Sequence, residues 1–434
     1  MYQTVALILT LGLIILLAFG VPVGMSLCVV GCVGFMVNMG TIASWFQLIS
    51  MPLKLTSSLQ NFLLLSIPLF ILAAKIMNGS SITKRIFKFA NVAAGWLSGG
   101  LGHANILASL LFAGMSGTAV SDAAGLGQIE IEAMKNNGYD VDFSAGVTAA
   151  SSTIGPIFPP SVPMVMYSTI SGVSVGSLFL GGVVPGVLMT ITMMIIVYAV
   201  AKKRNYPKMP FPTVKEFVSA FWEALIPMLT PVILLAGIWT GLFTTTESAV
   251  VATVYALLIS FFVFKEMTLE RLWGILKETI RDTASIGFVT AAAAFYGWVL
   301  ARCGISNAIA EWLANVTTNP IVFMLIVNIA LLVIGCFMES IAAILVFGPV
   351  LLTAATAMGI DPLYFGLVMV LNLMIGLCTP PFGVCLFVIA DTAKISFQKM
   401  VKAMLPFYIP LFGCLILLCL VPEIGTWLPG LFAK

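Results

Sequence analysis

The segment 151–163 reads SSTIGPIFPPSVP and lies between two strongly apolar segments of the chain. A proline has no backbone N–H, so the carbonyl four residues before it loses its helical partner. Pro159, for example, removes the partner of the Gly155 carbonyl. Inside a membrane, such carbonyls are tolerated only where protein, water or an ion satisfies them. The segment therefore predicts a helix that is broken at a defined place.

A second segment, 376–381 (GLCTPP), repeats this pattern: in both, a glycine is followed four and five residues later by a pair of prolines. Gly376 follows Gly155 by about half the length of the chain. Other features recur in the same order at a nearly constant offset, such as Met115–Ser116 with Met338–Glu339, and Lys75 with Arg302. Two structural repeats are the simplest explanation. Many secondary transporters invert such repeats and bind their cargo between broken helices.

The composition is that of a polytopic membrane protein. Hydrophobic residues make up 60% of the chain and charged residues 9%, with a mean hydropathy of +1.12, whereas soluble domains carry about 25% charged residues. Apolar runs near the length of a membrane span recur throughout, so we expect an all-α fold. The sequence has no GxxxxGK[ST] motif and one histidine, His103. These features exclude P-loop ATP hydrolysis and a histidine-based metal site.

Short polar and charged segments separate the apolar runs. Residues 103–137 begin with an apolar run too short to span a bilayer and then reach a polar, glycine-rich tip at 114–118, which predicts a re-entrant hairpin. Residues 80–97 and 265–283 are amphipathic and charged, and the first of these suits the membrane surface. The basic cluster 202–204 ends a long apolar span, which favours a cytoplasmic location for that end.

Each broken helix follows a polar tip by about 40 residues, and this pairing favours one cation site in each half of the chain. The carbonyls of 155–158 and 376–379 would supply oxygen ligands. Hydroxyl groups would complete the shells, from Ser116, Thr118, Ser340 and Thr379. Na⁺ suits such cages of neutral oxygens. The alternative is a pair of proline kinks without an ion, which membrane helices tolerate.

Charged residues in apolar surroundings are the next candidates, because a charge at membrane depth is costly unless it is paired or hydrated. Asp122 and Glu339 lie close to the two predicted tips, either as functional carboxylates or as ordinary solvated groups. Glu247 could pair with a base across the bundle or serve only the structure. Lys75 and Arg302 are expected to be snorkelling helix ends. Arg302 is the best single candidate for attracting a substrate carboxylate, because its guanidinium fits that group.

Five motifs resemble the large membrane subunit of TRAP transporters, the tripartite ATP-independent periplasmic transporters. They are GMSGTAVSDAAGLG (114–127), GPIFPPSVPM (155–164), FTTTESA (243–249), CFMESIAAIL (336–345) and GLCTPPFG (376–383). The resemblance covers essentially the whole chain, and it is stronger to the sialic-acid branch than to the C4-dicarboxylate branch. Many relatives have FTPTEA, whereas this chain has Thr245 in place of that proline, which leaves the local helix geometry open.

The resemblance implies an all-α polytopic membrane protein with two inverted structural repeats, each with a re-entrant helical hairpin and a broken helix. A transport domain that carries the hairpins would slide against a scaffold, as an elevator does. The implied division is a first repeat 1–204 (scaffold 1–97, hairpin 1 and broken helix 98–175, scaffold helix 176–204), a linker 205–215, a second repeat 216–403 (scaffold 216–283, hairpin 2 and broken helix 284–403) and a terminal helix 404–434.

The resemblance also implies a function, which is sodium-coupled import of an organic acid, sialic acid first of all, across the bacterial inner membrane. A small membrane subunit, a periplasmic substrate-binding protein and the lipid bilayer would be the partners, and Na⁺ the transported coupling ion. By position, the implied Na⁺ ligands are Ser116, Ala119, Gly155, Phe158 and Pro160 in one site and Glu339, Ser340, Gly376 and Thr379 in the other. The implied substrate contacts are Ser116, Thr118, Arg302 and Glu339.

Three other functions stay open at this point. The substrate could be a C4-dicarboxylate or another carboxylate. Transport could be coupled to protons, with Asp122 and Glu339 as the carriers. A membrane-embedded enzyme is the third alternative, and no nucleophile, base or metal constellation in the sequence supports it.

Overall fold

The computed structural model describes residues 2–39, 49–79 and 81–432, and every regular element in these ranges is helical. The helices of the first half are α1 (Tyr2–Ala18), α2 (Val23–Met39), α3 (Ser50–Ser58), a 3₁₀ turn (Phe62–Leu65), α4 (Ser66–Asn78), α5 (Ile82–Ala94), α6 (Gly100–Ser116), α7 (Ala119–Asn136), α8 (Val141–Ser151), α9 (Val162–Ser171) and α10 (Val175–Arg204). This outcome confirms the all-α prediction.

The second half repeats this order of elements. Its helices are α11 (Val214–Trp239), α12 (Thr245–Leu258, continued by a π turn Ile259–Val263), α13 (Leu269–Arg302), α14 (Ile305–Val316), α15 (Pro320–Phe337), α16 (Ser340–Ala357), α17 (Pro362–Leu377), α18 (Val384–Ala393), α19 (Phe397–Leu420) and α20 (Glu423–Phe432). Within the described ranges, 7 helices are long and apolar enough to cross a membrane, or 8 if the bent pair Ser50–Ser58 and Phe62–Asn78 is one span.

Two helical hairpins form where the sequence predicts them. Hairpin 1 consists of α6 and α7, and it turns at Gly117, whose φ of 61° is a left-handed conformation that glycine adopts at little cost. Thr118 then caps α7, because its side chain accepts a hydrogen bond from the Ser121 N–H at 3.3 Å. Hairpin 2 consists of α15 and α16, and Glu339 caps α16 at the equivalent position.

Both broken helices are also present. Broken helix 1 consists of α8 and α9 and is interrupted at 152–161, and broken helix 2 consists of α17 and α18 and is interrupted at 378–383. The Pro159–Pro160 and Pro380–Pro381 peptide bonds are both cis. The prediction of two helices broken at paired prolines is therefore confirmed.

The two halves are inverted relative to each other, as the contacts of two equivalent helical arms show. Arm 1 is α3 with α4, and arm 2 is α13. Lys54, near the start of arm 1, lies over the Trp298 ring near the end of arm 2, with 5.8 Å between its Nζ and the ring centroid. Lys75, near the end of arm 1, forms an ion pair of 3.0 Å with Glu278 in the first part of arm 2. Equivalent elements that run antiparallel are the mark of an inverted repeat.

Buried amide side chains join each hairpin to its broken helix at equivalent positions. In the first repeat, the Asn105 amide donates to the Thr148 hydroxyl at 2.7 Å. In the second repeat, the Asn372 amide donates to the Asn328 side-chain oxygen at 2.6 Å. The spacing of Asn105 and Asn328 along the chain matches that of Met115 and Met338, so the two asparagines are equivalent in the repeat. Buried polar side chains need such partners, so these bonds fix each hairpin on its broken helix.

Some details differ from the sequence-based division. The charged segment 265–283 and the following span are one continuous helix, α13, so the boundary placed at 284 falls inside a helix. The boundary between 403 and 404 likewise falls inside α19. The amphipathic segment 80–97 contains α5, and Lys88 of this helix contacts Glu223 of α11 at 2.8 Å. Part of its basic face therefore serves contact between the repeats.

Glu247 has a structural position. The Thr244 side chain accepts from the Glu247 N–H, and the Glu247 carboxylate accepts from the Thr244 N–H at 2.8 Å. This reciprocal pair is a capping box at the start of α12. Thr245 is the first residue of the helix, where proline is common and other residues are accepted. The threonine in place of the relatives' proline thus leaves the helix start intact.

Candidate functional site

The first hairpin tip lies against the first break. The Val162 N–H donates to the Gly117 carbonyl at 3.3 Å, and a Cβ added to Gly117 would lie 3.1 Å from the Pro160 carbonyl oxygen. The structure therefore brings together the tip, with Ala119 one residue beyond Thr118, and the Pro160 end of the break. The Phe158 side chain packs on Gly186 of α10.

The second hairpin meets the second break in a comparable way. The Gly383 N–H donates to the Cys336 carbonyl at 3.1 Å. Gly376 packs on the backbone of Gly335, and a Cβ added at Gly376 would come within 2.7 Å of the Gly335 Cα. Only glycine fits this approach, so the end of α17 lies directly against the last turn of α15.

The backbone carbonyls predicted to be bare are satisfied to different degrees. In the described part of the chain, no backbone N–H donates to the Gly155 carbonyl. The Gly376 carbonyl, by contrast, accepts from the Thr379 N–H at 2.9 Å. The prediction that Pro380 leaves Gly376 bare is therefore wrong, because the chain tightens into a 3₁₀-type turn there. A carbonyl oxygen has two lone pairs, so one remains for a further partner.

The side chains around the second break are arranged for coordination by oxygen. The Thr379 hydroxyl donates to the Ile375 carbonyl at 2.7 Å, which leaves its oxygen lone pairs available. The Tyr408 hydroxyl donates to the Cys378 carbonyl at 2.7 Å. Among the residues that the structure describes, no cluster of three or more His, Cys, Asp or Glu side chains could hold a metal. Any ion at these breaks would therefore rest mainly on backbone and hydroxyl oxygens.

A cavity of about 560 Å³ separates the two hairpin tips. We call it the tip cavity. Both tips contribute to its wall, together with arm 1, arm 2 and the ends of the broken helices; polar or charged lining residues are Lys75, Thr118, Ser121, Asp282, Ser285, Glu339 and Ser340. Of the predicted site residues, Thr118, Ala119, Glu339 and Ser340 thus share one cavity. A volume of this size is typical of small-molecule sites.

The tip cavity continues into a longer passage. A neighbouring cavity of about 720 Å³ shares Lys75, Thr118, Ser121 and Asp282 with it and extends along α7 and the first part of arm 2. A third cavity of about 480 Å³ shares Asn78, Gly125 and Arg271 with the second one and adds Lys84 and Glu266. The tips are therefore connected to one end of the molecule.

The mouth of this passage carries opposite charges. The Glu266 carboxylate accepts a hydrogen bond from the Ser81 N–H. Burial raises the pKa of Glu266, but the bonds from Ser81 and the charges of Arg85 and Arg271 outweigh that effect and leave the pKa below its usual value. Glu266 is consequently ionised at neutral pH, and the mouth carries both signs of charge.

Lys75 is the basic residue of the tip cavity. Its Nζ lies 3.0 Å from a Glu278 carboxylate oxygen and 2.8 Å from an Asp282 oxygen. Its side chain is 24% exposed, and the residue lines the tip cavity. The sequence predicts Lys75 as a snorkelling helix end, and the structure adds that its ammonium group pairs with two carboxylates of arm 2.

Arg302 does not reach the tip cavity in this conformation. It is exposed at the end of arm 2, thirteen residues beyond Val289, the last residue of that arm to line the cavity. At 1.5 Å per residue this corresponds to about 20 Å along the helix. The structure thus separates Arg302 from Thr118 and Glu339, and its role toward a carboxylate stays a prediction.

Glu339 faces the tip cavity, and its carboxylate already accepts hydrogen bonds from its own helix start. Its carboxylate accepts from the Ile341 N–H at 2.9 Å and the Ala342 N–H at 3.3 Å, and the Ser340 hydroxyl donates to it at 2.9 Å. A carboxylate at this position satisfies the free N–H groups of the helix start and matches the helix dipole. Glu339 therefore fixes the shape of tip 2 as well as lining the cavity.

Asp122 and Glu130 form a buried acidic pair on α7. They are 2% and 1% exposed. Neither Asp122 oxygen has a hydrogen-bond partner of good geometry in the described structure, although the Ser109 hydroxyl lies close by, and one Glu130 oxygen also has none. Sequence reasoning gave Glu130 no role, although its spacing of eight residues from Asp122 puts both on one side of the helix. A buried carboxylate without a compensating charge is costly, so Asp122 in particular requires a proton or a cation.

Known proteins resemble the chain over nearly its full length. Residues 10–424 match the family described as tripartite ATP-independent periplasmic transporter, DctM component. The chain is 42% identical over 417 residues to the sialic acid TRAP transporter large permease protein SiaM of Vibrio cholerae, with 96% of each chain covered. It is 40% identical over 418 residues to the sialic acid TRAP transporter permease protein SiaT of Haemophilus influenzae, with 96% of this chain and 67% of that one covered.

Other relatives broaden this comparison. The C4-dicarboxylate TRAP transporter large permease protein DctM of Pseudomonas aeruginosa is 37% identical over 381 residues, with 88% of this chain and 89% of that one covered. The crystal structure of the Alcanivorax borkumensis YdaH transporter has the same fold, with a TM-score of 0.67 at 14% identity over 89% of this chain and 90% of that one. The chain is a multi-pass transporter permease and not an enzyme, and it belongs to the DctM component family of tripartite ATP-independent periplasmic transporters.

Proposed function

We propose that this protein is the large membrane subunit of a sodium-coupled importer for an organic acid, with sialic acid as the substrate. It would work in the bacterial inner membrane with a small membrane subunit and a periplasmic binding protein that delivers the acid. The observation that carries the proposal is the arrangement of the two hairpin tips, which face one cavity while each rests on a helix broken at paired prolines.

Na⁺ is the coupling ion that the breaks suit best. The first site would use Ser116 and Ala119 at tip 1 and the backbone oxygens of the break; its other predicted ligands are Gly155, Phe158 and Pro160. The second site would use the Glu339–Ser340 tip with Gly376 and Thr379. The Gly155 carbonyl, which has no backbone donor, and the free lone pairs of Thr379 support this assignment. Neutral oxygens desolvate a monovalent cation without holding it too tightly to be released.

The tip cavity suits a polar organic acid. Hydroxyl groups from both tips and from arm 2 line it, on Thr118, Ser121, Ser285 and Ser340. Such groups can replace the water bound to a sugar acid. The substrate contacts that we propose are Ser116, Thr118 and Glu339, with Arg302 acting only after a change of conformation. Sialic acid is favoured over C4-dicarboxylates because the sialic acid relatives are 42% and 40% identical, against 39% and 37% for the C4-dicarboxylate relatives of Vibrio cholerae and Pseudomonas aeruginosa.

The structure fits an inward-open state of an elevator. The passage from the tips ends beside the start of α5, and at the other end of this helix the Gly95 carbonyl accepts from the Met209 N–H of the inter-repeat linker at 3.0 Å. That linker follows the basic cluster 202–204, which the positive-inside rule assigns to the cytoplasm. In the proposed cycle, the hairpins and broken helices move together past the arms, and the cavity then opens on the other side.

Reconstitution tests this function directly. The large subunit, its cognate small subunit and the binding protein are placed in proteoliposomes, and entry of labelled sialic acid is followed. We expect uptake with an inward Na⁺ gradient and none with an equal K⁺ gradient. Uptake that ignores Na⁺ would refute sodium coupling, and uptake of labelled succinate without uptake of labelled sialic acid would reassign the substrate.

Proton coupling is a second candidate, because the buried and unpartnered Asp122 needs charge compensation. In that case uptake would follow a pH gradient in the absence of Na⁺. Asp122→Asn and Glu339→Gln would then abolish the dependence on pH. If both variants keep the wild-type response to Na⁺ and to pH, this candidate is excluded.

A further inference from the structure

We propose that Lys75 receives the carboxylate of the transported acid, and that Asp282 and Glu278 compete with the acid for Lys75 and so promote its release into the passage. This inference rests on the proposed function, since it assumes an anionic substrate in the tip cavity. It assigns the recognition of the acid group, in this conformation, to arm 1 and not to Arg302.

The location of Lys75 is the first observation. Among the described residues that line the tip cavity, Lys75 is the only one with a basic side chain. The same residue lines the adjoining cavity of the passage, so it stands where the two meet. An acid that leaves the tips along this route must pass its ammonium group.

The charge of the cavity is the second observation. Two carboxylates, Asp282 and Glu339, line the tip cavity. An entering anion is repelled by them unless a cation compensates. The carboxylate of Glu339 is held by its helix cap, so Lys75 is the group that remains to attract an anion.

The present partners of Lys75 are suited to exchange. The side chain of Glu278 is 69% exposed and that of Asp282 is 48% exposed. Exposed ion pairs contribute little free energy because water stabilises the separated charges. An ammonium group has three donors, so Lys75 can keep one of these two carboxylates while it binds a substrate carboxylate in place of the other.

The same pairs explain release. Once the acid is bound to Lys75, Glu278 lies close enough to take back the ammonium group as the acid departs toward the mouth. The carboxylates of arm 2 then act as an intramolecular competitor at high effective concentration. The hydroxyls of Thr118, Ser121 and Ser285 hold the rest of the acid and do not depend on its charge.

The test compares an acid with its neutral analogue. Binding of sialic acid and of its 1-carboxamide to the purified two-subunit membrane complex is measured by calorimetry, for the wild type and for Lys75→Met, Lys75→Arg and Asp282→Asn. Lys54→Met is the matched control, because Lys54 lies on the same arm but contacts Trp298 outside the tip cavity. Size-exclusion profiles establish that each variant is folded.

We expect Lys75→Met to weaken binding of the acid by about tenfold or more, since a hydrogen bond to a charged group is lost, and to leave carboxamide binding unchanged. Lys75→Arg should retain most of the acid affinity, and Asp282→Asn should tighten acid binding because one competitor is removed. Equal effects of Lys75→Met on acid and carboxamide, or weaker acid binding in Asp282→Asn, would overturn the inference.

Failure of the inference can be distinguished from failure of the proposed function. A wild-type complex that transports sialic acid with Na⁺ while Lys75→Met binds the acid normally would refute only the role of Lys75. A wild-type complex that neither binds nor transports an organic acid would refute both. If Lys75→Met does not fold, the tighter acid binding predicted for Asp282→Asn, with carboxamide binding unchanged, still decides the question.

Discussion

The two hairpin tips occupy equivalent positions in the two repeats, but they place their negative charge differently. At tip 1, a neutral hydroxyl of Thr118 caps the second helix, and the nearby carboxylate of Asp122 is buried behind it. At tip 2, the carboxylate of Glu339 is itself the cap and faces the cavity. The comparison indicates that the two repeats share the backbone conformation of the tip but place the carboxylate differently, buried in the first and facing the cavity in the second.

The same divergence appears where the broken helices begin. Asp140 and Asp361 are both N-cap residues, and their spacing along the chain equals that of Gly155 and Gly376. Asp361 caps its own helix by accepting from the Leu363 N–H at 2.9 Å. Asp140 instead accepts from the Tyr206 hydroxyl at 2.6 Å and pairs with Arg204 at 2.9 Å. The first repeat thus uses this residue to hold the linker, and the second uses it for the helix.

The largest effect should come from the glycine contact at the second break. Gly376→Ala would press a Cβ to 2.7 Å from the Gly335 backbone, which must shift. We expect a loss of about 1 to 3 kcal/mol of stability and loss of Na⁺-dependent uptake, measured by thermal unfolding and by transport. Gly413→Ala in α19 is the control, since no atom lies within 4 Å of its added Cβ. Wild-type stability and uptake in Gly376→Ala would show that the backbones at Gly376 and Gly335 can move apart at little cost.

The caps of the two tips provide the next contrast. Glu339→Ala removes two N–H bonds and a charge at the helix start, whereas Thr118→Ala removes one bond of 3.3 Å. We expect Glu339→Ala to lower stability by about 1 kcal/mol and Thr118→Ala to lower it less, as measured by thermal unfolding of the purified complex. Equal losses would mean that the charge of Glu339 makes no contribution to its tip.

The buried carboxylate of tip 1 is expected to behave in the opposite way. Asp122→Asn keeps the shape of the side chain and removes a charge that has no partner in the described structure. Stability should stay constant or rise by up to about 1 kcal/mol. Thermal unfolding in Na⁺-free and Na⁺-containing buffer checks this. A lower unfolding temperature for Asp122→Asn only in Na⁺ buffer would show that Asp122 holds the ion directly.

The smallest effect should be at Asp140. The hydrogen bond from Tyr206 and the ion pair with Arg204 outweigh partial burial and hold the pKa of Asp140 below its usual value. A carboxyl with a lowered pKa stabilises the fold above its unfolded pKa of about 3.9 and loses that contribution as the pH falls further. Asp140 is largely exposed, so Asp140→Asn should cost at most about 0.5 kcal/mol at pH 7.

The difference between Asp140→Asn and wild type should vanish as the pH is lowered through the acid range, when unfolding is followed by circular dichroism. Asp361→Asn serves as the control, because an asparagine side chain can accept the same capping bond. A loss at Asp140→Asn that persists unchanged at low pH would show that packing around Tyr206, and not the charge, is responsible.

Most of the fold could be predicted from the sequence, because paired prolines, glycine-rich tips and repeat offsets are local signals. The inverted arrangement of the arms needed the structure, since it depends on contacts between residues 203 positions apart such as Lys75 and Glu278. For the same reason the pairing of Lys75 with arm 2, and its place in the tip cavity, could not be predicted. The Gly376 carbonyl shows a second limit: a missing helical partner does not exclude a tighter turn that supplies another donor.

The most direct test of the central claim follows two labels in the same proteoliposomes, ²²Na⁺ and ¹⁴C-labelled sialic acid, with the complete transporter. Two broken helices that each hold one ion predict entry of at least two Na⁺ with each acid molecule. Thr379→Ala should reduce both fluxes together, because its hydroxyl is a proposed ligand of the second of these sites. Entry of sialic acid without accompanying ²²Na⁺ would contradict the claim.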